Sequence, residues 1–234
     1  MNLCVIPARG GSKRILKKNI RDFCGKPIIA YSIEEAVKTG LFDKIIVSTD
    51  DVEIADVARS YGAEVPFIRP EELSGDFTGT NEVVKHAIQW CIDHNENYDY
   101  VCCIYATAPF VQSKYLEQGY NKLVSSEKSF AFSVTSFPFP IQRALRINGN
   151  KEIEAIWPEN IFKRSQDLEE GYHDAGQFYW GKASAFLNGV VTFSNASLPV
   201  VLPRHIVQDI DTEEDWCRAE LMFKSLTANM NGAM

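Results

Sequence analysis

The amino-acid sequence predicts an α/β fold in which helices flank a mostly parallel β-sheet. Over the first 68 residues, short apolar runs alternate with helical segments in the order strand, helix, strand, helix, strand. This alternation is typical of consecutive βαβ units, whose strands lie parallel in one sheet. The apolar run at residues 45–47 suits a strand that is covered on both faces. Hydrophobic residues make up 45% of the 234-residue chain, which is enough to build a sizeable core.

The elements of the first 125 residues have local signals at their ends. Pro27 suits the first turn of a helix, and Gly40 lies just beyond the end of that helix. Asp51 can cap the second helix and Gly62 is expected to end it, while Thr80 can cap the third. The predicted strands are residues 3–6, 44–48, 64–68 and 100–105, and the predicted helices are residues 27–37, 52–61, 80–93 and 113–125.

The regular alternation breaks down after the next strand. Asn148-Gly149, between the segments 143–147 and 152–156, predicts a β-hairpin inside an irregular stretch at residues 136–165. Thr212 is expected to cap the last helix, because acidic residues follow it in the first turn. The remaining predicted elements are strands at residues 130–135, 177–180 and 199–202 and a short helix at residues 182–187, and residues 230–234 are expected to fray.

The excursion at residues 136–165 carries several aromatic side chains, namely Phe137, Phe139, Trp157 and Phe162. Such a surface can pack against a partner subunit, or it can form a lid over the chain's own site. The sequence contains no internal repeat and no linker that would divide it. We therefore interpret residues 1–234 as one domain, with residues 136–165 as an arm or lid within it.

Composition and charge exclude several classes of function. The formal net charge of −7, with few interleaved basic and aromatic residues, argues against binding to nucleic acid. No apolar run approaches the roughly 20 residues that cross a membrane, so we expect no membrane partner. The first residues lack the charged and apolar regions of a signal peptide. These features favour a cytoplasmic protein, in which the six cysteines are reduced thiols.

A glycine-rich basic loop follows the first predicted strand, which stops at Pro7 because proline cannot donate to a sheet ladder. The adjacent glycines Gly10 and Gly11 allow the backbone to approach an anion closely. The loop also contains a hydroxyl and five cations, which are Ser12, Arg9, Lys13, Arg14, Lys17 and Lys18. In an acidic chain, this local charge favours binding of a triphosphate over a plain solvated linker.

The loop matches neither of the two common phosphate-binding motifs. A P-loop ending in Gly25-Lys26 would need glycine at the position of Ile20. A dinucleotide-binding loop would need a third, spaced glycine after Gly10 and Gly11. Its place after the first strand of a parallel sheet nevertheless suits a ligand site.

Two aspartates near the end of the chain, Asp209 and Asp211, are spaced two residues apart. In extended backbone their carboxylates face the same side, with Ile210 pointing into the core. Two hard oxygen ligands on one face suit Mg²⁺ together with substrate phosphates. On spacing alone, a turn cap at Asp209 and an acidic helix start at Asp211 explain the pair equally well.

Four motifs spread over nearly the whole chain carry a family resemblance. They are Pro7-Ala8-Arg9-Gly10-Gly11-Ser12-Lys13 with Lys18-Asn19, Ser48-Thr49-Asp50, Arg69-Pro70, and Asp209-Ile210-Asp211-Thr212. Together they resemble the cytidylyltransferases that activate nonulosonic acids, the CMP-sialic acid synthetase family. The resemblance implies a Rossmann-like nucleotidyltransferase fold and a homodimer built through a small dimerisation arm. It also implies transfer of CMP from CTP to the anomeric hydroxyl of a nonulosonic acid, with release of pyrophosphate.

Three further segments, at residues 104–110, 137–143 and 172–179, resemble the branch of this family that acts on pseudaminic acid. The sialic-acid enzymes have asparagine where Asp174 aligns, which indicates a different sugar. The resemblance thus implies pseudaminic acid as acceptor, and a product that feeds glycosylation of flagellin or a surface polysaccharide. Sialic, legionaminic and octulosonic acids remain alternatives, as does a non-catalytic protein that binds a nucleotide and regulates.

The resemblance also implies roles for individual residues. The implied nucleotide contacts are Pro7, Ala8, Arg9, Gly10, Gly11, Ser12, Lys13, Asn19, Arg69, Thr78 and Thr80. The implied sugar contacts are Tyr105, Gln142, Arg164, Gln166, Asp174, Gln177 and Tyr179. Arg9, Lys13, Lys18 and Asp211 are implied in catalysis, and Asp209 and Asp211 in binding Mg²⁺. Asp50 has two open interpretations from its position, a ligand contact or a helix cap.

Overall fold

The computed structural model describes residues 1–231 of the chain. The strands are β1 (Asn2–Pro7), β2 (Asp22–Phe23), β3 (Lys26–Pro27), β4 (Lys44–Ser48), β5 (Tyr100–Ile104), β6 (Phe130–Ser136), β7 (Leu145–Ile147), β8 (Ile153–Ala155), β9 (Tyr172–Lys182) and β10 (Ser197–Val201). The helices are α1 (Ile28–Thr39), α2 (Val52–Ser60), α3 (Thr80–Asp93), α4 (Ser113–Val124), α5 (Ala183–Leu187) and α6 (Glu213–Asn231). The fraying expected for residues 230–234 falls mostly outside the described residues.

A six-stranded sheet in the order β10-β6-β9-β5-β1-β4 forms the centre of the molecule. The pairs β1–β4, β1–β5 and β10–β6 are parallel, whereas β9 runs antiparallel to both of its neighbours. The α/β class with a mostly parallel sheet is therefore confirmed. Within the described residues, no helix combines the length and the apolar character needed to cross a membrane.

Apolar side chains cover both faces of the sheet, as the continuous apolar strands require. Neighbouring residues of β5 illustrate this, since Cys102 belongs to the core on one face and Cys103 to the core on the other. Trp180 of β9 and Trp216 of α6 are buried on the same side as Cys102. This core fixes the strand ends at which the polar residues converge.

The helix caps follow the local signals at Asp51 and Gly40 but not at Thr80. The Asp51 carboxylate accepts hydrogen bonds from the amides of Glu53 and Ile54 at 2.8 and 3.1 Å. Gly40 caps α1 in the left-handed conformation, with φ of 61°. The prediction of Thr80 as N-cap is wrong, because Gly79 occupies that position.

The strand predicted at residues 64–68 is also wrong. Only two isolated bridges form there, from Ile46 to Glu64 and from Thr49 to Ile68. Pro66 lies between them and has no amide hydrogen to donate, so a continuous ladder cannot form.

The irregular stretch after β6 contains the predicted hairpin. Strands β7 and β8 pair antiparallel around the Asn148-Gly149 turn. Beyond it, β9 is longer than the predicted residues 177–180, because it begins at Tyr172 and continues through Gly176, whose φ is +62°. Thr212 caps α6 as predicted, since its hydroxyl accepts from the amide of Asp215 at 3.2 Å.

Gly181 of β9 allows a close approach between two core aromatic rings. A Cβ at this position would lie 2.5 Å from Cδ1 of Phe130 and 2.6 Å from Cε2 of Phe186. We expect Gly181→Ala to lower the free energy of unfolding by about 1–3 kcal/mol through overpacking. Gly149→Ala is the matched control, because a Cβ there meets no atom within 4 Å. Equal denaturation midpoints for both variants in urea would contradict this packing account.

Candidate functional site

An open cleft of about 590 Å³ lies at the carboxyl ends of β1 and β5. Parallel strands of an open α/β sheet place their ligands at this edge. The loop after β1 forms one wall, and the loop before α3 forms another. The predicted site residues that line the cleft are Pro7, Arg9, Ser12, Lys13, Lys18, Asn19, Arg69, Thr78, Thr80, Tyr105 and Asp211.

The basic loop is held in a defined shape by hydrogen bonds to its backbone. The Asn19 side-chain amide donates to the Arg9 carbonyl at 2.8 Å, and the amide of Ser12 donates to the Gly10 carbonyl at 2.9 Å. Gly10 itself packs tightly, because an added Cβ would lie 2.7 Å from Oδ2 of Asp51. Ala8 is buried beneath the loop and is not part of the cleft lining.

Two cations of this loop share one carboxylate across the cleft. Arg9 Nη1 and Lys13 Nζ lie 2.6 and 2.5 Å from the two carboxylate oxygens of Asp76. The hydrogen bond from Lys13, followed by that from Arg9, lowers the pKa of the Asp76 carboxyl. The two cations therefore converge on a single anionic group, in a geometry that a phosphate could also adopt.

Asp211, the second residue of the predicted aspartate pair, lines the cleft, whereas Asp209 does not. Asp211 Oδ1 lies 2.8 Å from Nη2 of Arg14 and 3.5 Å from Nζ of Lys18. Desolvation raises the pKa of Asp209, and the neighbouring Asp211 carboxylate raises it further. Asp209 and Asp211 together offer the hard carboxylate oxygens that a divalent cation prefers.

The two aspartates suit a Mg²⁺ ion that is held partly by substrate or water, and not a metal ion that is held by protein ligands alone. Within residues 1–231, no group of three or more His, Cys, Asp or Glu side chains is arranged to hold a metal ion. Substrate oxygens or water would have to complete the coordination shell around Asp209 and Asp211. Mg²⁺ is commonly bound in this way, through one or two carboxylates plus phosphate oxygens.

Arg69 lies deep in the cleft wall, with only 4% of its surface exposed. Its Nη2 lies 3.7 Å from Oδ1 of Asp50, and its Nε donates to Oγ of Ser74 at 3.3 Å. Burial lowers the pKa of the guanidinium, and the Asp50 charge opposes this. Asp50 faces the cleft wall, and the helix cap belongs to Asp51.

A second polar group surrounds Tyr105, just beyond the carboxyl end of β5. The hydroxyls of Tyr105 and Thr80 are 3.4 Å apart. Tyr179 packs against the Tyr105 ring, with centroids 5.3 Å apart, and donates to Oδ2 of Asp174 at 2.5 Å. Burial, followed by the nearby Tyr105 and Asp174, raises the pKa of Tyr179. Of these four residues, Tyr105 and Thr80 line the cleft, whereas Tyr179 and Asp174 do not. Asp174 can therefore influence the cleft through Tyr179 and Tyr105.

Four other residues implied in sugar binding do not line this cleft. Gln177 is buried and its Nε2 donates to the Ile206 carbonyl at 2.6 Å. Gln142 donates to the Glu169 carbonyl, and Arg164 pairs with Asp167. Gln166 lines a separate cavity of about 330 Å³ between residues 137–140 and 165–171.

The cleft also contains two charged residues for which the sequence predicted no role in the site. Arg14, one of the loop cations, lines the cleft and contacts Asp211. Asp76 contacts both Arg9 and Lys13. Its only sequence signal is an acidic residue within the short glycine-bounded segment 75–79.

Comparison with known proteins identifies relatives of the whole chain. The profile of the family described as Cytidylyltransferase matches residues 3–195. A protein named "Pseudaminic acid cytidylyltransferase" from Campylobacter jejuni strain 81-176 is 48% identical over 223 residues, which cover 95% of this chain and 96% of that protein. A "CMP-N,N'-diacetyllegionaminic acid synthase" from Legionella pneumophila is 32% identical, over 95% of this chain and 96% of that protein.

A solved structure shares the fold at much lower identity. It is that of CMP:2-keto-3-deoxy-manno-octonic acid synthetase complexed with CTP, with a TM-score of 0.69 and 15% identity. The match covers 96% of this chain and 98% of that chain. The family profile spans most of the sequence, and the relatives align with it almost from end to end. The chain therefore belongs to the cytidylyltransferase family.

Proposed function

We propose that the chain transfers CMP from CTP to the anomeric hydroxyl of pseudaminic acid and releases pyrophosphate. The observation that carries this proposal is the convergence of Arg9, Lys13 and Lys18 with Asp211 on one cleft. The choice of sugar rests on the 48% identity to a protein named for pseudaminic acid. Sialic, legionaminic and octulosonic acids are alternatives in the same reaction class.

The reaction needs positioning and charge neutralisation more than covalent catalysis, since phosphoryl transfer proceeds by in-line displacement. Arg9 and Lys13 would hold the β- and γ-phosphates, in place of the Asp76 carboxylate that they contact here. Lys18 would approach the α-phosphate. Its side chain is only 17% exposed, compared with 78% for Lys13, so its charge is less screened by water.

Asp209 and Asp211 would hold Mg²⁺, whose donor set they fit. When bound, the ion would offset negative charge on the phosphate oxygens. Arg14 and Lys18 keep Asp211 oriented toward the cleft through their ion pairs with it. Asn19 supports the nucleotide by fixing the Arg9 backbone.

The tyrosine pair is the basis for sugar recognition. Tyr105 and Thr80 line the cleft with their hydroxyls close together. Tyr179 packs against the Tyr105 ring and is itself fixed by its hydrogen bond to Asp174. A wrong isomer would leave such partly buried polar groups unpaired, which discriminates strongly. The Asp174 to Tyr179 contact thus links the distinctive Asp174 to the pocket.

The chain forms a homodimer through the hairpin arm in this proposal. Phe139, Ile147 and Phe162 of the arm are 79%, 75% and 97% exposed, although all three are apolar. Contact with a second copy would cover them. Gln142 and Arg164 lie on this arm and Gln166 directly follows it, so these three residues would contact the sugar only from across such an interface. Sedimentation should report twice the mass of one chain, and Ile147→Asp should reduce that mass to one chain.

Asp76 should compete with the triphosphate, because its carboxylate already pairs with Arg9 and Lys13. We expect Asp76→Asn to lower the Kd for CTP by about two- to five-fold, the scale of an exposed ion pair. Asp56→Asn removes a comparable exposed pair with Arg59 and is the control. Isothermal calorimetry gives both values, and weaker CTP binding in Asp76→Asn would contradict the competition.

The reaction itself is tested by pyrophosphate release with pseudaminic acid and each of CTP, UTP, ATP and GTP. Release that depends on both CTP and the sugar supports the proposal. Tight CTP binding without release, with every acceptor tried, would favour the non-catalytic regulator instead.

A further inference from the structure

We propose that Asp50 is a positioning residue that locks the two walls of the triphosphate half of the cleft together. The inference rests on the proposed function, because it assumes that the loop after β1 holds the phosphates of CTP. Asp50 does not line the cleft, but it contacts Gly10 and Arg69, which are both implied in nucleotide binding. Its role would be exerted through Gly10 and Arg69.

One carboxylate oxygen of Asp50 contacts both walls of the cleft. Oδ1 accepts a hydrogen bond from the amide of Gly10 at 2.9 Å and lies 3.7 Å from Nη2 of Arg69. Gly10 belongs to the loop that carries Arg9 and Lys13, whereas Arg69 precedes the loop that carries Asp76. A single carboxylate therefore ties two segments that are about 60 residues apart in sequence.

Each of these contacts has a clear physical need. Arg69 is 4% exposed, and Asp50 is the one carboxylate with which it forms an ion pair among residues 1–231. A buried cation that loses its partner is strongly disfavoured. Gly10 in turn fits closely against the Asp50–Asp51 corner, where an added Cβ would lie 2.9 Å from Cβ of Asp51. The loop thus has little freedom to settle elsewhere while Asp50 holds it.

Loss of the Asp50 contacts should weaken the binding of CTP more than the binding of CMP. Arg9 lies next to Gly10 and Lys13 lies three residues beyond it, and both are assigned to the β- and γ-phosphates. CMP lacks these phosphates. A displaced loop should therefore cost CTP affinity more than CMP affinity, whereas general damage to the fold would weaken both ligands alike.

The test compares the Kd values of CTP and CMP by calorimetry for wild type, Asp50→Ala, Asp50→Asn and Gly181→Ala. We expect Asp50→Ala to weaken CTP by about ten-fold or more, the effect of losing charged hydrogen bonds, with CMP changed by less than about three-fold on that scale. Asp50→Asn keeps an acceptor for the Gly10 amide and should recover part of the loss. Gly181→Ala overpacks the core at the far end of β5 from the cleft, so it should lower the melting temperature without changing the ratio of the two Kd values.

Gly10→Ala provides a second route if Asp50→Ala does not fold. Its methyl group would push the loop away from the corner while Asp50 stays intact, and the same selective loss of CTP is expected. A folded Asp50→Ala protein that binds CTP like wild type, or an equal loss of CTP and CMP, would overturn the inference. Failure of the wild type to bind CTP would instead contradict the proposed function.

Discussion

Replacing Asp211 with alanine is expected to reduce kcat by roughly 100-fold or more, equivalent to about 3 kcal/mol of transition-state stabilisation. Asp211 lies on the cleft, and its carboxylate contacts both Arg14 and Lys18. Its loss would remove a Mg²⁺ ligand and free two cations at the same time. CTP should still bind, at reduced strength, because Arg9 and Lys13 are unaffected.

Pyrophosphate release measured over a range of Mg²⁺ concentrations tests this expectation. Glu213→Gln is a suitable control, since Glu213 is two residues away and pairs with Arg21 outside the cleft. A variant at Asp211 that reaches nearly wild-type kcat at saturating Mg²⁺ would remove the metal assignment.

Arg9→Ala and Lys13→Ala should each weaken CTP by about 10- to 150-fold, because a hydrogen bond from a charged group contributes roughly 1.5–3 kcal/mol. Arg9 should show the larger effect, since its side chain is 38% exposed and that of Lys13 is 78% exposed. The KM of the sugar should change little, because both cations are assigned to phosphates.

Calorimetry with CTP alone isolates this effect from the chemical step. Lys17→Ala is the matched control, because Lys17 belongs to the same loop but pairs with Glu53 and does not line the cleft. If both cleft variants bind CTP as tightly as Lys17→Ala, the loop does not hold the triphosphate.

The parts of the fold that could be predicted are those with local causes. Gly40 marks a helix end through its left-handed backbone and Asp51 through its side-chain carboxylate, and the structure uses both for that purpose. The early part of β9 could not be predicted, because His173 and Asp174 are polar and Gly176 interrupts the pattern. The strand forms there because β6 pairs with it on one side, which is a tertiary effect.

The candidate site also combines contacts that the sequence predicts with contacts that only the fold creates. Arg9 and Lys13 lie on one short loop, so their proximity follows from the sequence. Asp76 joins them from more than 60 residues away, and only the folded chain reveals this contact. For Gln177, the family resemblance implied a sugar contact. In the structure, its side-chain amide donates to the Ile206 carbonyl in the interior. Side-chain direction within a long, irregular strand is not encoded in spacing alone.

The most direct test of the proposed reaction is kcat/KM with CTP for pseudaminic, N-acetylneuraminic and legionaminic acids, measured under one set of conditions by pyrophosphate release. We expect pseudaminic acid to give the highest value, with the other two used poorly. Better use of either of the other acids would contradict the sugar assignment and leave cytidylyl transfer intact. No pyrophosphate with any of the three acids, from a folded protein supplied with Mg²⁺, would contradict the proposed reaction.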